Sequence, residues 1–498
     1  MKKIGRKDRR VLIRKMLTLL QLETLLGLLG ALLLNKMLPM KYLAIIAGVL
    51  FVLWIVCFAL QFVKKRIHLL GVALSIILSV AQFAGVFYVD KTNELMDRVG
   101  GAALKVDNMV VVVRADDPAE TIEDAAHYSF GVQYAVDAAN TQRMVEEIGN
   151  ILSHGLIPIE YEGIQQEAQA LLDGEVQAVI YNEAYTSIIE ESIDDYSSQV
   201  KVIYQYGIET EIEREEVDIN NAFNIYISGI DVEGSISKSS RSDVNIIMTV
   251  NPETKHIILT STPRDFYVEI PGVSGGAKDK LTHAGVYGVD ASMRTLEQLY
   301  GIDISYYARV NFTSVINIVD ALGGIEVESE HSFRTKSGHS FSAGTNYLNG
   351  EQALAFARER KSFSAGDRQR GKNQEAVIEA VLNKAMSPAI LQNASQIIAS
   401  VSDCVETNMS RDEMAKFINM QLEDSAVWTI ESQAADGRGS SAACYSSGSQ
   451  KLYVMIPDDA IVAECSQKIQ AVLNPTDSMN DGQNDTEGTT DSTIEIIE

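Results

Sequence analysis

Three long apolar runs fill the first ninety residues, and that constrains the chain more than any other feature. They span 16–34, 42–63 and 69–89. Each is close to the ~20 residues that a helix needs to cross a bilayer. A cleaved signal peptide would be one short run ending in a small-residue site, so that reading is rejected. Basic residues orient the spans: eight Lys/Arg precede the first, two lie in the loop 35–41, and three stand in "KKRIH" at 64–68. Positive-inside counting puts the N-terminus and the second loop in the cytoplasm and everything after about Asp90 outside. Glu23 sits in mid-span, where pairing with a neighbouring helix or chain is the expectation.

Charge changes sign where the third run ends. Thirteen basic against two acidic residues make 1–89 strongly positive, at +11, which leaves −36 for the rest of a chain whose net charge is −25. So acidic an ectodomain does not cling to anionic polymers, and no nucleic-acid partner is expected. Against that background, 358–372 is an exception. Arg358, Arg360, Lys361, Arg368, Arg370 and Lys372 face only Glu359 and Asp367, a local +4. Cys404, Cys444 and Cys465 form no CxxC or Cys/His pattern, which leaves a disulfide open and gives no sign of zinc. The tail 474–498 is polar and acidic, with a composition that favours disorder.

The remainder reads as two α/β blocks. Residues 99–219 form the smaller, accessory one. "MVVVVRADD" (109–117) suggests a buried strand, 141–155 a helix with a glycine stop, and 164–185 a helix, turn and strand. The pattern resembles one lobe of a solute-binding protein, but a spacer or docking domain without chemistry is the expectation. The larger block, 220–473, opens with strands at 223–231, 244–251 and 256–262. Helices are expected at 290–300, 313–322, 367–386, 411–421 and 458–472. Irregular alternation of strands and helices suggests an α-β-α sandwich rather than a barrel.

Charged residues gather at the ends of these strands, where α/β sites assemble. Asp231 closes the first strand, Arg241 and Asp243 precede the second, and Arg264 and Asp265 follow the third. Arg358 and Arg360 lie two apart, so an extended segment would send both to one side. Asp367, Arg370 and Gln374 share a helical face that leaves Arg368 off it. Several arginines among a few carboxylates suit a phosphate group with a metal ion. Guanidinium binds phosphate oxygens bidentately and stays charged, and magnesium takes few carboxylates while leaving positions for phosphate. No Walker-type GxxxxGK[ST] loop is present, which argues against an ordinary nucleoside triphosphatase.

The stretches "GIDVEGSISKSSRSDVNIIMTVNPETKHIILTSTPRDFYVEIPG", "KLTHA", "INIVDALGGIEV", "LNGEQALAFARER" and "GDRQRGKNQ" occur in this order over 220–374, within a motif core of 220–390. Together they resemble the LytR-CpsA-Psr family, and three spans plus an accessory domain resemble its capsule-attaching branch. The resemblance implies an extracytoplasmic phosphotransferase of a Gram-positive-type bacterium. Such an enzyme moves a glycopolymer (capsule, wall teichoic acid or similar) from a polyprenyl-pyrophosphate carrier onto peptidoglycan at the membrane lipid surface. It implies magnesium, or manganese in its place, on Asp231 and Asp243. It implies a pyrophosphate clamp of Arg241, Arg264, Arg358, Arg360 and Arg370, with Lys280, Asp265, Asp367 and Gln374 at further polar positions. Arg241, Asp243, Arg264 and Asp265 then form the catalytic group. An apolar lipid tunnel is implied beside the helix 313–322. Two departures stand out: Val244 replaces the usual Thr, and Thr282 the usual Asn. Two rival functions remain, a pyrophosphatase in which water replaces the sugar hydroxyl and a polymer-binding or regulatory protein without transfer.

Overall fold

The computed structural model describes residues 6–36, 38–63, 67–100, 104–211, 217–230, 240–364, 366–385, 397, 402, 405–424 and 426–475. The chain divides into two compact units: Met1–Ala102 with Lys384–Val427, and Ala103–Asn383 with Trp428–Glu498.

In the first unit, the helices Arg6–Asn35, Met40–Phe62 and Ile67–Val99 each contain a segment long and apolar enough to cross a membrane. Lipid gives apolar helices no hydrophobic reason to associate, so polar side chains between them matter. Ser75 Oγ donates to Gln21 Oε1 at 2.7 Å and accepts from Gln61 Nε2 at 2.6 Å, so one serine joins all three helices. Thr24 Oγ1 donates to Gln82 Oε1 at 2.8 Å. Glu23 lies instead on the outer face of the bundle. The helix Arg411–Asp424 packs at one end of these helices. Lys36 Nζ is 2.6 Å from Asp412 Oδ2, Lys41 Nζ donates to Glu423 O at 2.7 Å, and Arg411 Nη1 is 3.2 Å from Asp97 Oδ2.

Among the described residues, the second unit holds two large sheets and four two-stranded ones. The smaller of the two large sheets runs in the order Ile159–Tyr161, Phe130–Gln133, Ala178–Asn182, Leu104–Arg114, Val200–Glu211. The strand Leu104–Arg114, between two neighbours, is buried on both sides over 109–113, which explains the unbroken "MVVVV" run. Val110 and Val112 pack toward the helix Ile164–Asp173, while Met109, Val111 and Val113 pack toward Ala138–Ile151. The helix Ile164–Asp173 stops at Gly174, whose φ of 77° is the left-handed conformation that glycine tolerates.

Within this unit the larger sheet runs Tyr306–Val310, Phe223–Ile230, Ser242–Asn251, His256–Ser261, Thr429–Ala434. The two outer strands are parallel to their neighbours and the inner pairs are antiparallel. Side chains alternate across a strand, and the last two residues of His256–Ser261 show helices on both faces. Gln433 Nε2 joins Thr260 Oγ1 to Cys465 O in the helix Asp459–Leu473. Ser261 faces the other way, where a Cβ on Gly371 of the helix Asp367–Ala385 would lie 3.4 Å from its Oγ. This is the expected sandwich, with a mixed sheet. Where the usual Thr is replaced, Val244 packs on Gly229 of the adjacent strand. A Cβ at 229 would come within 2.6 Å of the valine, so glycine is required there. Cys57, Cys444 and Cys465 are buried free thiols, and Cys404 lies outside the described residues.

Candidate active site

The ends of the strands Ser242–Asn251 and His256–Ser261 open on a cavity of about 780 Å³. Six cations line it, Arg241, Arg264, Lys280, Arg360, Lys361 and Arg368, against two carboxylates, Glu191 and Asp265. Because the chain after residue 89 is so strongly acidic, this local excess marks the cavity as an anion site.

The strands and turns explain these positions. Arg241 directly precedes its strand and Asp243 is the strand's second residue, so consecutive odd positions point the same way. Arg264 and Asp265 occupy the turn after His256–Ser261. Arg264 Nη1 donates to Asp243 Oδ1 at 2.9 Å, and its Nε lies 3.8 Å from Asp265 Oδ2. Thr282 Oγ1 also donates to Asp243 Oδ1, at 3.2 Å, so the departure from the usual Asn preserves a donor. Lys280 Nζ is 3.8 Å from Asp265 Oδ1 and is almost fully buried.

The basic stretch 358–372 divides. Arg360 reaches the cavity. Arg358 does not share its direction: it ends the helix Gly350–Arg358, and its guanidinium stacks 3.8 Å above the Phe312 ring. The extended-segment expectation for this pair is therefore corrected, because the helix persists through Arg358. Arg368, expected to lie off the site face, lines the cavity and pairs with Asp436 at 2.8 Å. Arg370 and Gln374 lie half-buried on the same helix and are not among the described lining residues. Asp367 begins that helix, but its side chain lies outside the described residues, as does all of Asp231.

Two residues of this region were missed in the sequence. Glu191 comes from the segment between the last two strands of the smaller sheet, which was expected to carry no chemistry. Its Oε1 accepts from Arg241 Nη1 at 2.9 Å and its Oε2 from Lys280 Nζ at 2.8 Å. His283 Nε2 lies 3.4 Å from the same Oε1, and His283 Nδ1 lies 2.7 Å from Asp279 Oδ1. Asp279 also accepts from the backbone N–H groups of Lys280 and Ser446. Burial pushes the Glu191 carboxyl up, but bonds and charge from His283 and Lys280 outweigh it and hold it well below the usual range. Burial likewise opposes charge on His283, yet Asp279 and then Glu191 raise its pKa. An imidazolium has one N–H for each carboxylate. His283 was visible in "KLTHA"; nothing local in the sequence marks Glu191.

The donors suit a hard cation only in part. Every hydrogen bond that Asp243 accepts among the described residues falls on Oδ1, which leaves Oδ2 as an oxygen ligand. Among the described residues, no three His, Cys, Asp or Glu side chains form a metal cluster.

The LytR_cpsA_psr family model matches residues 185–460, more than half of the chain. This chain belongs to that family. The match begins ahead of Glu191 and takes in the whole cavity. Among curated relatives, a polyisoprenyl-teichoic acid–peptidoglycan teichoic acid transferase, TagU of Enterococcus faecalis, is 38% identical over 208 residues, covering 41% of this chain and 67% of the relative. TagU of Bacillus cereus is 37% identical over 201 residues, 40% of this chain and 65% of the relative. The chain thus spans about two thirds of the length of these relatives. Among solved structures, B. subtilis TagV is 27% identical with a TM-score of 0.43, covering 51% of this chain and 98% of that one. TagT bound to LI-WTA is 26% identical with a TM-score of 0.41, covering 52% and 94%. In this LytR-CpsA-Psr chain, the helix Phe312–Ala321 leaves Val315, Ile316 and Ile318 only half-buried, so an apolar surface lies beside Arg358.

Proposed function

We propose that this protein is a membrane-anchored phosphotransferase that joins a cell-wall glycopolymer to peptidoglycan from a polyprenyl-pyrophosphate carrier. The observation that carries the reading is the cavity at the strand ends, with six cations against two carboxylates. A pyrophosphate diester brings two negative charges and many acceptor oxygens, and planar guanidinium groups match both. Transfer requires an acceptor hydroxyl oxygen to bond to the sugar-side phosphorus while the bridging P–O bond breaks. The polymer remains on peptidoglycan through a phosphodiester, polyprenyl phosphate departs with the bridging oxygen, and the proton of the acceptor hydroxyl passes to that leaving phosphate or to water. Arg264, held by Asp243, and Arg360 bind the phosphoryl oxygens, and their fixed positions favour the charge that gathers on the leaving group. Lys280 and Arg241 hold the other side. Arg358, stacked on Phe312, stands beside the apolar helix Phe312–Ala321 where the carrier would enter, and Arg370 and Gln374 would add polar contacts to the pyrophosphate.

Asp243, with Asp231, would hold magnesium or manganese, and the ion when bound would offset pyrophosphate charge. The site would lie outside the cytoplasmic membrane with the N-terminus inside. Supporting this, the loop between the first two spans and the end of the third meet the same helix, Arg411–Asp424, as alternating crossings require. The polymer is a teichoic acid or a capsule-like glycan, the former being what the named relatives transfer.

The test is to mix the full chain in detergent with a polyprenyl-pyrophosphate oligosaccharide and peptidoglycan fragments, then read products by mass spectrometry. A fragment bearing the oligosaccharide through one phosphate is expected. Phosphate release without any acceptor would instead identify a hydrolase, and no turnover with retained binding would identify a polymer-binding protein.

A further inference from the structure

Arg241 and Lys280 would repel one another across a largely buried site if nothing stood between them. One carboxylate does. Glu191 gives each cation its own oxygen, Oε1 to Arg241 at 2.9 Å and Oε2 to Lys280 at 2.8 Å. The carboxylate is itself steadied. His283, fully buried, stands 3.4 Å behind Oε1 and is held in turn by Asp279 at 2.7 Å, also fully buried. Asp279 is fixed by two backbone N–H groups, from Lys280 and Ser446. The chain of charge-assisted bonds therefore runs from the backbone of two segments to the two cavity cations.

We propose that Glu191 is a positioning residue through which the segment joining the last two strands of the smaller sheet sets Arg241 and Lys280 for pyrophosphate transfer. Donor counting supports this over a plug that the substrate must expel. Arg241 has five N–H groups and Lys280 three. Glu191 engages one on each, and among the described residues the other donors of these two side chains make no hydrogen bond, so they can meet a substrate while their directions are fixed. Preorganised donors favour the transition state because they need no rearrangement when charge develops. The region of the smaller sheet thereby gains a role in the chemistry, which neither that sheet nor the motifs of 220–374 would suggest. This inference rests on the transferase reading above.

Full-length wild type, Glu191→Gln, Glu191→Ala and Glu191→Asp are compared for transfer kinetics and for binding of inorganic pyrophosphate by calorimetry, with thermal unfolding as a folding check. Glutamine keeps the shape but turns one acceptor into a donor, which sets an N–H against a cation. The expected result is a fall in kcat on the order of 10²-fold for Ala and Gln. KM and pyrophosphate affinity stay near wild type or tighten, since the cations lose a competing anion. Asp, one methylene shorter, restores part of kcat. A merely structural role would lower the folded fraction without this split and without rescue. If kcat in Gln and Ala matches or exceeds wild type, the positioning role is overturned, and a rise in kcat/KM would make Glu191 a plug. If wild type binds pyrophosphate yet transfers nothing, the transferase reading falls and this inference with it, an outcome distinct from a failure of Glu191 alone.

Discussion

At one end of the smaller sheet, Lys105, Asp107, Asp137, Asn140 and Asn182 close upon one another. Lys105 Nζ lies 3.0 Å from Asp107 Oδ2 and donates to Tyr287 O at 2.6 Å. Asn140 donates to Asp107 at 3.2 Å, and Asn182 donates to Asp107 and Asp137 at 3.3 and 3.2 Å. At the strand ends of the larger sheet, cations outnumber acids and line an open cavity. Both places are polar, and both sit where α/β folds bind ligands. They differ in whether the charges answer each other or face space. A self-satisfied cluster holds a fold together; an excess of one sign around a void needs a ligand.

The largest effect should come from breaking the open side. Arg264→Ala is expected to lower transfer by about 10²–10³-fold with the fold retained. Lys105→Ala in the closed cluster should leave transfer nearly unchanged while lowering the unfolding temperature. Equal loss of transfer in the two variants, measured by mass spectrometry of the products, would erase the distinction.

A second pair, on helices beside each of the two large sheets, sharpens the comparison. Glu167, beside the smaller sheet, and Glu375, beside the larger, are both buried, and each leaves one carboxyl oxygen without a partner among the described residues. Burial pushes Glu375 up to about 8 and raises Glu167 well above the usual range. Glu191 is also partly buried but moves the opposite way because cations surround it. The sign follows. With its folded pKa raised, Glu375 keeps its proton in the native state, so stability declines as pH rises from about 4.5 toward 8. Glu375→Gln should remove that slope and stabilise the protein by on the order of 3 kcal/mol at neutral pH. Denaturant unfolding at pH 5 and pH 8 reads this directly, and no difference between the two pH values would show the carboxyl to be ionised in the fold.

The chain Glu191–His283–Asp279 should give a smaller dependence in both directions. Glu191 and Asp279 have lowered values, so their contribution is present above the ordinary carboxylate range and is lost as pH falls through the folded values. His283 has a raised value, so its contribution is full below about 6.5 and is lost as pH rises through the folded one. His283→Gln should flatten the alkaline side of the stability profile; a profile unchanged above pH 6.5 would mean that the imidazole is neutral.

These contrasts also explain what the sequence could reveal. The spans were legible because hydropathy over some twenty residues has few other meanings. The strands Ser242–Asn251 and His256–Ser261 were legible because β-branched runs ended at polar turns, and that exposed Arg241, Asp243 and Arg264 as strand-end residues. Glu191 was not legible, since its partners lie 50, 89 and 92 positions away and only tertiary packing joins them. Arg358 and Arg360 were paired wrongly because alternation holds in strands, and the helix Gly350–Arg358 carries one of them away. Arg368 was set aside because helical periodicity orders side chains around one axis and is blind to a loop arriving from elsewhere. Asp436 and Gly437 provide that loop.

Arg368 therefore supplies the finest test of the open side. It lines the same cavity as Arg264, but its side chain is 57% exposed against 24% for Arg264. Its guanidinium is occupied at Nε by Asp436 at 2.8 Å and at Nη2 by Gly437 O at 3.2 Å. Water screens a rim charge, so its pull on a bound anion is modest, about 0.2–1 kcal/mol as for other exposed pairs. Arg368→Ala should accordingly slow transfer less than about tenfold, mainly through a higher KM, and the difference should shrink as salt is raised. Arg264→Ala should show neither feature, because its loss falls on kcat and lies deeper than counterions reach. Transfer kinetics of both variants at low and high ionic strength decide it. A salt-insensitive loss in Arg368→Ala as large as that of Arg264→Ala would mean that the rim arginine grips the pyrophosphate itself, and the cavity's working floor would then have to be placed nearer Asp436.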